Sequence, residues 1–342
     1  MYKTFFHLQR DPFEISPDPH FIYPAARHNE ALANLYYAIL GRKGFVAITG
    51  EVGTGKTLLV RCLLERLQKH RVQFAYVFNP LLGPVEFLHY LTADLRLGGN
   101  WSDKSHILQA LHAFLLESNM HGSSTVLVVD EAHLLGEQVL EEIRLLGNLE
   151  TTNGKLLQIA LVGQPELDEK LDAPRLRQLK QRIALRCSLQ PLNLEDTQKY
   201  VQWRLLRAGA KDNSGIFSED TLVAVYRYSR GIPRLINTIC ENSLVSAYAV
   251  GMYSLSVPLV QEVCEDLRLN VGSQPPPREE PSFELGEKLE IAIRKAFEDW
   301  GEEILVAEAA QVSSQKPVPF QPAEELAIDK VFHNWEKRPM WQ

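Results

Sequence analysis

The sequence predicts an α/β protein in which a doubly wound parallel sheet is followed by a small all-helical domain and a proline-rich tail. Two observations set the order of the parts. Up to about residue 191, short apolar, β-branched runs alternate with stretches whose apolar residues recur at helical spacing, the pattern of parallel strands joined by crossover helices. Beyond that point only the helical period continues. A third observation bounds the last part: residues 272–342 hold eight of the nineteen prolines, opening with Pro275, Pro276 and Pro277, and such runs favour extended linkers over packed cores.

Residues 1–24 are rich in aromatics and proline. Each proline removes a donor and restricts the residue before it, so this segment is expected as irregular chain wrapped over the core. A domain over 25–191 opens with a helix over 28–40. Strands are expected at 44–49, 72–78, 125–129, 157–162 and 183–189, with helices between them, notably over 57–70 and 107–118. A helical domain follows over 192–271. There Asn193 caps a helix to about 206, Ser218 caps one to about 228, and Pro233 opens one to about 250. A last helix runs from about 256 to 269 with Pro258 in its first turn, where a missing donor costs little.

At 342 residues, 45% hydrophobic and 23% charged, the chain has the composition of a globular protein with two packed domains, not of a disordered or membrane-embedded one. Its formal net charge of -7 is concentrated in residues 272–342, which carry fourteen acidic and eight basic side chains. The near-neutral remainder lacks the basic surplus that marks nucleic-acid binding. Cys62, Cys187, Cys240 and Cys264 lie far apart in apolar stretches, without the spacing of a zinc site, and read as buried reduced thiols. The start lacks an apolar signal region and no run reaches about 18 uncharged apolar residues. A cytoplasmic protein is expected, peripheral to the inner membrane only through partners.

The chemistry is concentrated in two motifs. Gly50-Glu51-Val52-Gly53-Thr54-Gly55-Lys56-Thr57 fits G-x-x-x-x-G-K-[ST], a P-loop, between an expected strand and an expected helix. Glycines let backbone N–H groups curl around phosphate oxygens, the positive end of the helix dipole faces the same anion, and Lys56 supplies a mobile cation to the β and γ phosphates. Thr57 is placed to ligate Mg²⁺. The second motif is the apolar strand ending in Asp130-Glu131, which delivers two carboxylates to the sheet edge where α/β ligands bind. Asp130 is expected to hold magnesium through water, and Glu131 to polarise the attacking water. ATP and Mg²⁺ are the expected cofactors and ATP hydrolysis the expected reaction.

Further blocks accompany these motifs in order: Pro12-Phe13 with Pro17-Asp18-Pro19 and Phe21-Ile22-Tyr23, then Gly44-Phe45-Val46-Ala47-Ile48-Thr49 leading into the P-loop. Val129-Asp130-Glu131-Ala132-His133-Leu134, Leu161-Val162-Gly163-Gln164-Pro165-Glu166-Leu167, Gln181-Arg182-Ile183 and Gly231-Ile232-Pro233-Arg234 complete the set. Over about residues 1–270 the chain resembles the AAA+ ATPases of the ExeA/GspA type, associated with general secretion, and their relatives among exopolysaccharide-locus ATPases and TnsC-like transposition regulators. The resemblance implies an AAA+ fold with a helical lid. It further implies that Gln164 is a sensor-1 residue, with a plain turn role before Pro165 as the alternative. Arg182 takes the place of an arginine finger acting on a neighbouring subunit, with Arg175, Arg177 and Arg186 as competitors, and Arg234 that of the sensor-2 arginine, the alternative being a surface ion pair. ATP then lies between subunits and beneath the lid, so a homo-oligomeric ring or filament is implied.

The first functional expectation is a motor or switch for a membrane-associated secretion, pilus or exopolysaccharide assembly system. A DNA-dependent regulator of the TnsC type and a nucleotide-binding scaffold with little turnover are the alternatives. DNA is the less favoured partner because the body is near neutral. The tail holds an internal repeat, A-I-x-K-x-F-x-x-W, at 292–300 and again at 327–335. On helices over about 287–300 and 323–336 it places Ile293, Phe297 and Trp300, and Ile328, Phe332 and Trp335, on one narrow stripe each. Each copy reads either as a helix-in-groove ligand for a protein partner or as a cap on the protein's own body. His133 is read as packing beside the strand end, and Tyr23 and His28 as weak candidates for contact with the base.

Overall fold

In this computed structural model the described residues are 2–16, 18–23, 25–68, 70, 72–78, 81–99, 101, 103–152, 154–211 and 215–269. A one-turn helix α1 (Tyr2–Phe5) precedes α2 (Ala26–Leu40), β1 (Phe45–Gly50), α3 (Lys56–Gln68), β2 (Val72–Val77), α4 (Pro84–Asp94), α5 (Lys104–Met120) and β3 (Ser124–Val129). After these come α6 (Glu137–Leu146), a two-stranded hairpin of β4 (Glu150–Thr151) and β5 (Gly154–Lys155), β6 (Leu157–Gly163), α7 (Glu166–Asp172), α8 (Arg177–Lys180) and β7 (Ile183–Leu189). The remainder is helical: α9 (Leu194–Arg207), α10 (Glu219–Ser229), α11 (Pro233–Ala249) and α12 (Val257–Asp266).

The five longer strands form one parallel sheet in the order β2-β3-β6-β1-β7, with β1 in its interior between β6 and β7. Every residue of β1 and β6 is buried, as their largely apolar runs require of strands covered on both faces, and the buried Gln158 side chain accepts the Gly44 N–H. Because the strands run parallel, Gly50, Asp130 and Gln164 all leave the sheet at its carboxyl edge. One core packs the sheet against α4 to α8 through Phe87, Leu111, Leu127, Leu140, Ile159 and Leu171.

The helical domain has its own core, and here one expectation is corrected. The aromatics of the N-terminal segment pack into the helical domain and not onto the sheet: Phe6, Phe13 and Phe21 are buried with Val201, Ile236 and Leu244. The segment thus adds its aromatic side chains to the core built by the four helices. Nor is the segment wholly irregular, since α1 and a 3₁₀ turn at Pro19–Phe21 interrupt it. Arg204, 5% exposed, ties it down by donating to the carbonyls of Pro12 and Glu14 while its guanidinium lies over the Phe21 ring at 4.9 Å. The Asn193 and Ser218 side chains accept the N–H groups of Asp196 and Thr221, capping α9 and α10. All four cysteines are buried free thiols. The tail repeat lies outside the described residues.

Candidate functional site

The P-loop connects β1 to α3 in a path that ordinary residues cannot follow. Gly53 and Gly55 have φ of +84° and +99°, and a Cβ on Gly50 would stand 2.7 Å from the Leu189 carbonyl oxygen of β7. Lys56, 7% exposed, curls back over the loop and donates to the carbonyls of Gly50 at 2.7 Å and Glu51 at 2.9 Å. Burial lowers its pKa, while Glu131 and Asp130 act in the opposite sense. Thr54 Oγ1 donates to the Glu51 carbonyl and keeps the loop closed on itself.

One strand away, β3 ends in Asp130, which is buried. The Thr57 hydroxyl donates to Asp130 Oδ2 at 3.2 Å, so the two motifs meet. Two oxygen donors, one of them anionic, at the mouth of a phosphate loop are the donor chemistry of a hard divalent cation such as Mg²⁺. Sequence reasoning missed a third partner: the hydroxyl of Tyr76, from β2, donates to the same Oδ2 at 2.6 Å. Its only signal was a polar-tipped aromatic in a buried strand.

Glu131 adopts a left-handed backbone, φ +51°, which turns its side chain out of the strand direction. Its Oε2 is buried, makes no hydrogen bond among the described residues, and lies 3.4 Å from His133 Nδ1. The same Nδ1 accepts the Gln164 N–H at 3.4 Å. His133 therefore stands between the Glu131 carboxylate and the end of β6, and Lys170 fixes this turn by donating to the carbonyls of His133 and Leu135. Gln164 is brought beside the acidic pair through its backbone.

Arg234 comes from the other side. Its N–H, in the first turn of α11, donates to the Gly53 carbonyl at 3.2 Å, and a Cβ on Gly53 would lie 2.8 Å from Arg234 Cβ. The helical domain thus rests directly on the P-loop, and the exposed Arg234 side chain is near enough to lower the Lys56 pKa. Arg182 is not brought to this site. It precedes β7 at the amino edge of the sheet, a seven-residue strand away from the P-loop and so on the order of 20 Å distant, and donates to the Arg144 carbonyl at 3.0 Å. Its competitors are engaged or exposed elsewhere: Arg186, part-way along β7, pairs with Asp168 and Asp172, Arg175 pairs with Glu137, and Arg177 is exposed.

Beside Thr54 and Gly55 is an apolar slot lined by Ile22, Tyr23, Leu58, Leu192, Tyr200 and Pro233, with His28 at its floor. Burial lowers the His28 pKa, so the ring is neutral, and because its partner at 3.0 Å is the Thr54 carbonyl, Nε2 carries the proton. Tyr23 and His28, weak candidates from the sequence, both line this slot.

Comparison with known proteins agrees with this geometry. Residues 39–171 match the family described as AAA domain. The chain is 44% identical over 256 residues to general secretion pathway protein A of Aeromonas hydrophila, covering 75% of this chain and 46% of that protein, so it spans about half of the relative's length. Among solved structures, Drosophila ORC bound to DNA matches with a TM-score of 0.60 at 18% identity, covering 78% of this chain and 66% of that one. Cdc6p from Pyrobaculum aerophilum matches at 0.59 and 18%, covering 76% and 71%. At such identities the likeness is one of fold: a P-loop AAA+ sheet with a helical domain.

Proposed function

Because this chain carries an AAA domain and is a relative of general secretion pathway protein A, we propose that it binds ATP at the P-loop and hydrolyses it as an oligomeric motor or switch of a secretion apparatus. The observation that carries the reading is the meeting of Lys56, Thr57, Asp130 and Glu131 at the carboxyl edge of one parallel sheet. The base enters the slot between Tyr23 and Leu58, and the phosphates extend over the loop N–H groups toward the start of α3. Lys56 leaves the Gly50 and Glu51 carbonyls for the phosphate oxygens, a replacement of neutral acceptors by anionic ones. Thr57 and Asp130 hold Mg²⁺, which when bound neutralises phosphate charge. Glu131 orients and polarises water, with His133 behind its Oε2 and Gln164 at the end of β6. Arg234 reaches the phosphates from the helical domain.

Arg182 serves a neighbouring copy, since within one chain the length of β7 separates it from the P-loop. That assignment makes the oligomer, ring or filament, part of the active unit. The secretion role follows the relative's name, and the tail repeat supplies the candidate contact with a protein partner. The reading is tested by purified protein assayed for nucleotide binding and phosphate release. Lys56→Ala abolishes binding, and Glu131→Gln keeps binding while reducing hydrolysis by about 10²-fold or more. Equal turnover in Glu131→Gln and the parent protein would reduce the chain to a scaffold, and turnover that depends on duplex DNA with steep salt sensitivity would move it to a DNA-dependent switch.

A further inference from the structure

The carboxylate of Asp130 is held by three neutral donors. Thr57 Oγ1 at 3.2 Å and Tyr76 OH at 2.6 Å both reach Oδ2, and the Glu131 N–H reaches Oδ1 at 2.9 Å. Two of these donors belong to the motifs themselves; Tyr76 belongs to neither. It arrives from the edge strand β2, where it pairs in register with Val128 of β3, two residues before Asp130. Its side chain is 2% exposed, and its hydroxyl donates to the Asp130 carboxylate. On the open side of β2 the Tyr76 N–H donates to Asp94 Oδ2 of α4 at 2.7 Å, so the residue is anchored at backbone and ring alike. The short contact of a hydroxyl with a carboxylate in a dry environment is the strong, charge-assisted kind. An aspartate at a strand end is otherwise free to turn about its broad terminal torsion.

We propose that Tyr76 is a positioning residue of the cation site: its hydroxyl fixes the orientation of the Asp130 carboxylate and so sets how strongly magnesium strengthens nucleotide binding. The inference rests on the ATP-binding reading above. Groups that hydrogen-bond a metal-binding carboxylate commonly change metal affinity by about 10–100-fold when removed, although they never touch the ion. Tyr76 is the group here that a single-atom change removes without disturbing either motif. It also connects α4, through Asp94, to the cation site, a path that no residue of the P-loop provides.

The test is calorimetric ADP binding by the full chain, with excess magnesium and with EDTA, for the parent protein, Tyr76→Phe, Asp130→Asn and the double variant. In EDTA, Tyr76→Phe binds ADP within about twofold of the parent, which reports an intact P-loop. With magnesium, its gain in affinity falls by about tenfold or more. Asp130→Asn has already lost that gain, and adding Tyr76→Phe to it changes nothing further, because the hydroxyl acts only through the carboxylate. The proposal is overturned if Tyr76→Phe keeps the parent's full magnesium gain, or if the two substitutions add. Equal loss of affinity with and without magnesium would also overturn it, assigning Tyr76 to packing alone. A parent protein that binds ADP without any magnesium gain removes the cation site from the functional reading as well, which separates the two failures.

Discussion

Substituting Gly231 by alanine tests whether the contact between helical domain and P-loop depends on one backbone position. Gly231 has φ +73°, and a Cβ there would stand 1.8 Å from the Leu192 carbonyl oxygen and 2.8 Å from its carbon, atoms of a backbone that cannot step aside. The same two residues exchange a hydrogen bond, Leu192 N–H to the Gly231 carbonyl at 2.8 Å, which joins the exit of β7 to the start of α11. The left-handed conformation alone costs alanine about 1–2 kcal/mol. Overpacking against fixed backbone adds about 1–3 kcal/mol, which makes about 2–5 kcal/mol in all. At roughly 2–4 °C per kcal/mol for a protein of this size class, Tm falls by about 5 °C or more. Because Ile232 and Arg234 follow directly and rest on Gly53, the affinity for ADP falls with it. Thermal melts by circular dichroism, with and without ADP, provide both numbers. A variant that melts within about 1 °C of the parent and binds ADP equally would refute the steric argument.

Three further outcomes follow from contacts already described. His28 is buried and neutral with its pKa lowered from 6.5, so the unfolded chain takes up the proton more readily; the associated stability is full above about pH 6.5 and is lost as pH falls from there toward the folded value. Melting the parent and His28→Asn between pH 7.5 and 5.5 checks this, since the variant's curve is the flatter. Arg204→Ala leaves the carbonyls of Pro12 and Glu14 without their buried donor, which costs on the order of 3 kcal/mol and exposes the N-terminal segment to limited proteolysis that spares the parent. Arg182→Ala binds ATP as the parent does yet hydrolyses it slowly, and mixing it with Glu131→Gln recovers part of the activity, because mixed interfaces of one of the two orientations pair an intact Glu131 with an intact Arg182; no recovery on mixing argues against action on a neighbour.

What was legible in the sequence is what chemistry fixes by spacing. A phosphate cradle needs its glycines, lysine and hydroxyl at set intervals, and an apolar strand ending in two carboxylates is nearly as explicit, so Gly50 to Thr57, Asp130 and Glu131 were readable without coordinates. Pro233-Arg234 was readable as a helix start. Its seat on Gly53 was not, because it depends on how two separate elements dock. Tyr76 sits in Val72–Val77, a run that reads as an ordinary strand, and its hydroxyl acquires meaning only once β2 is laid beside β3. The aromatics of the first 24 residues signalled burial over the ATPase body, and they went to the helical domain instead. The two-residue strands β4 and β5 are too short to leave a period. The His133 contact with Glu131 is also tertiary in origin, since it requires the left-handed turn at Glu131 that folds residue 133 back beside the carboxylate.

The arrangement of cations around the P-loop bears on how a bound nucleotide would act on the helical domain. Lys56 and Arg234 both approach the same loop, and the Arg234 charge disfavours that of Lys56. Lys56 donates to two backbone carbonyls, and the Arg234 side chain stands in solvent, where salt screens the repulsion. On the proposed reading a phosphate chain laid over the loop is shared by Lys56 and Arg234, the latter from α11, whose first turn rests on Gly53. A ligand shifts a conformational equilibrium by the difference in its affinity for the two states. On that reading the difference comes from Arg234, which belongs to the helical domain, and hardly from Lys56, which belongs to the loop and α3. The slot adds to it, since Tyr23, Leu192 and Tyr200 come from outside α3 and the loop, and Tyr200 is bound onward to Asn237 of α11 and to Arg204, which holds the N-terminal segment. On the proposed reading base and phosphate contact the same body at two separated points. Two points define an orientation where one would leave the domain free to pivot, so on that reading a nucleotide fixes the position of the helical domain as well as occupying a site.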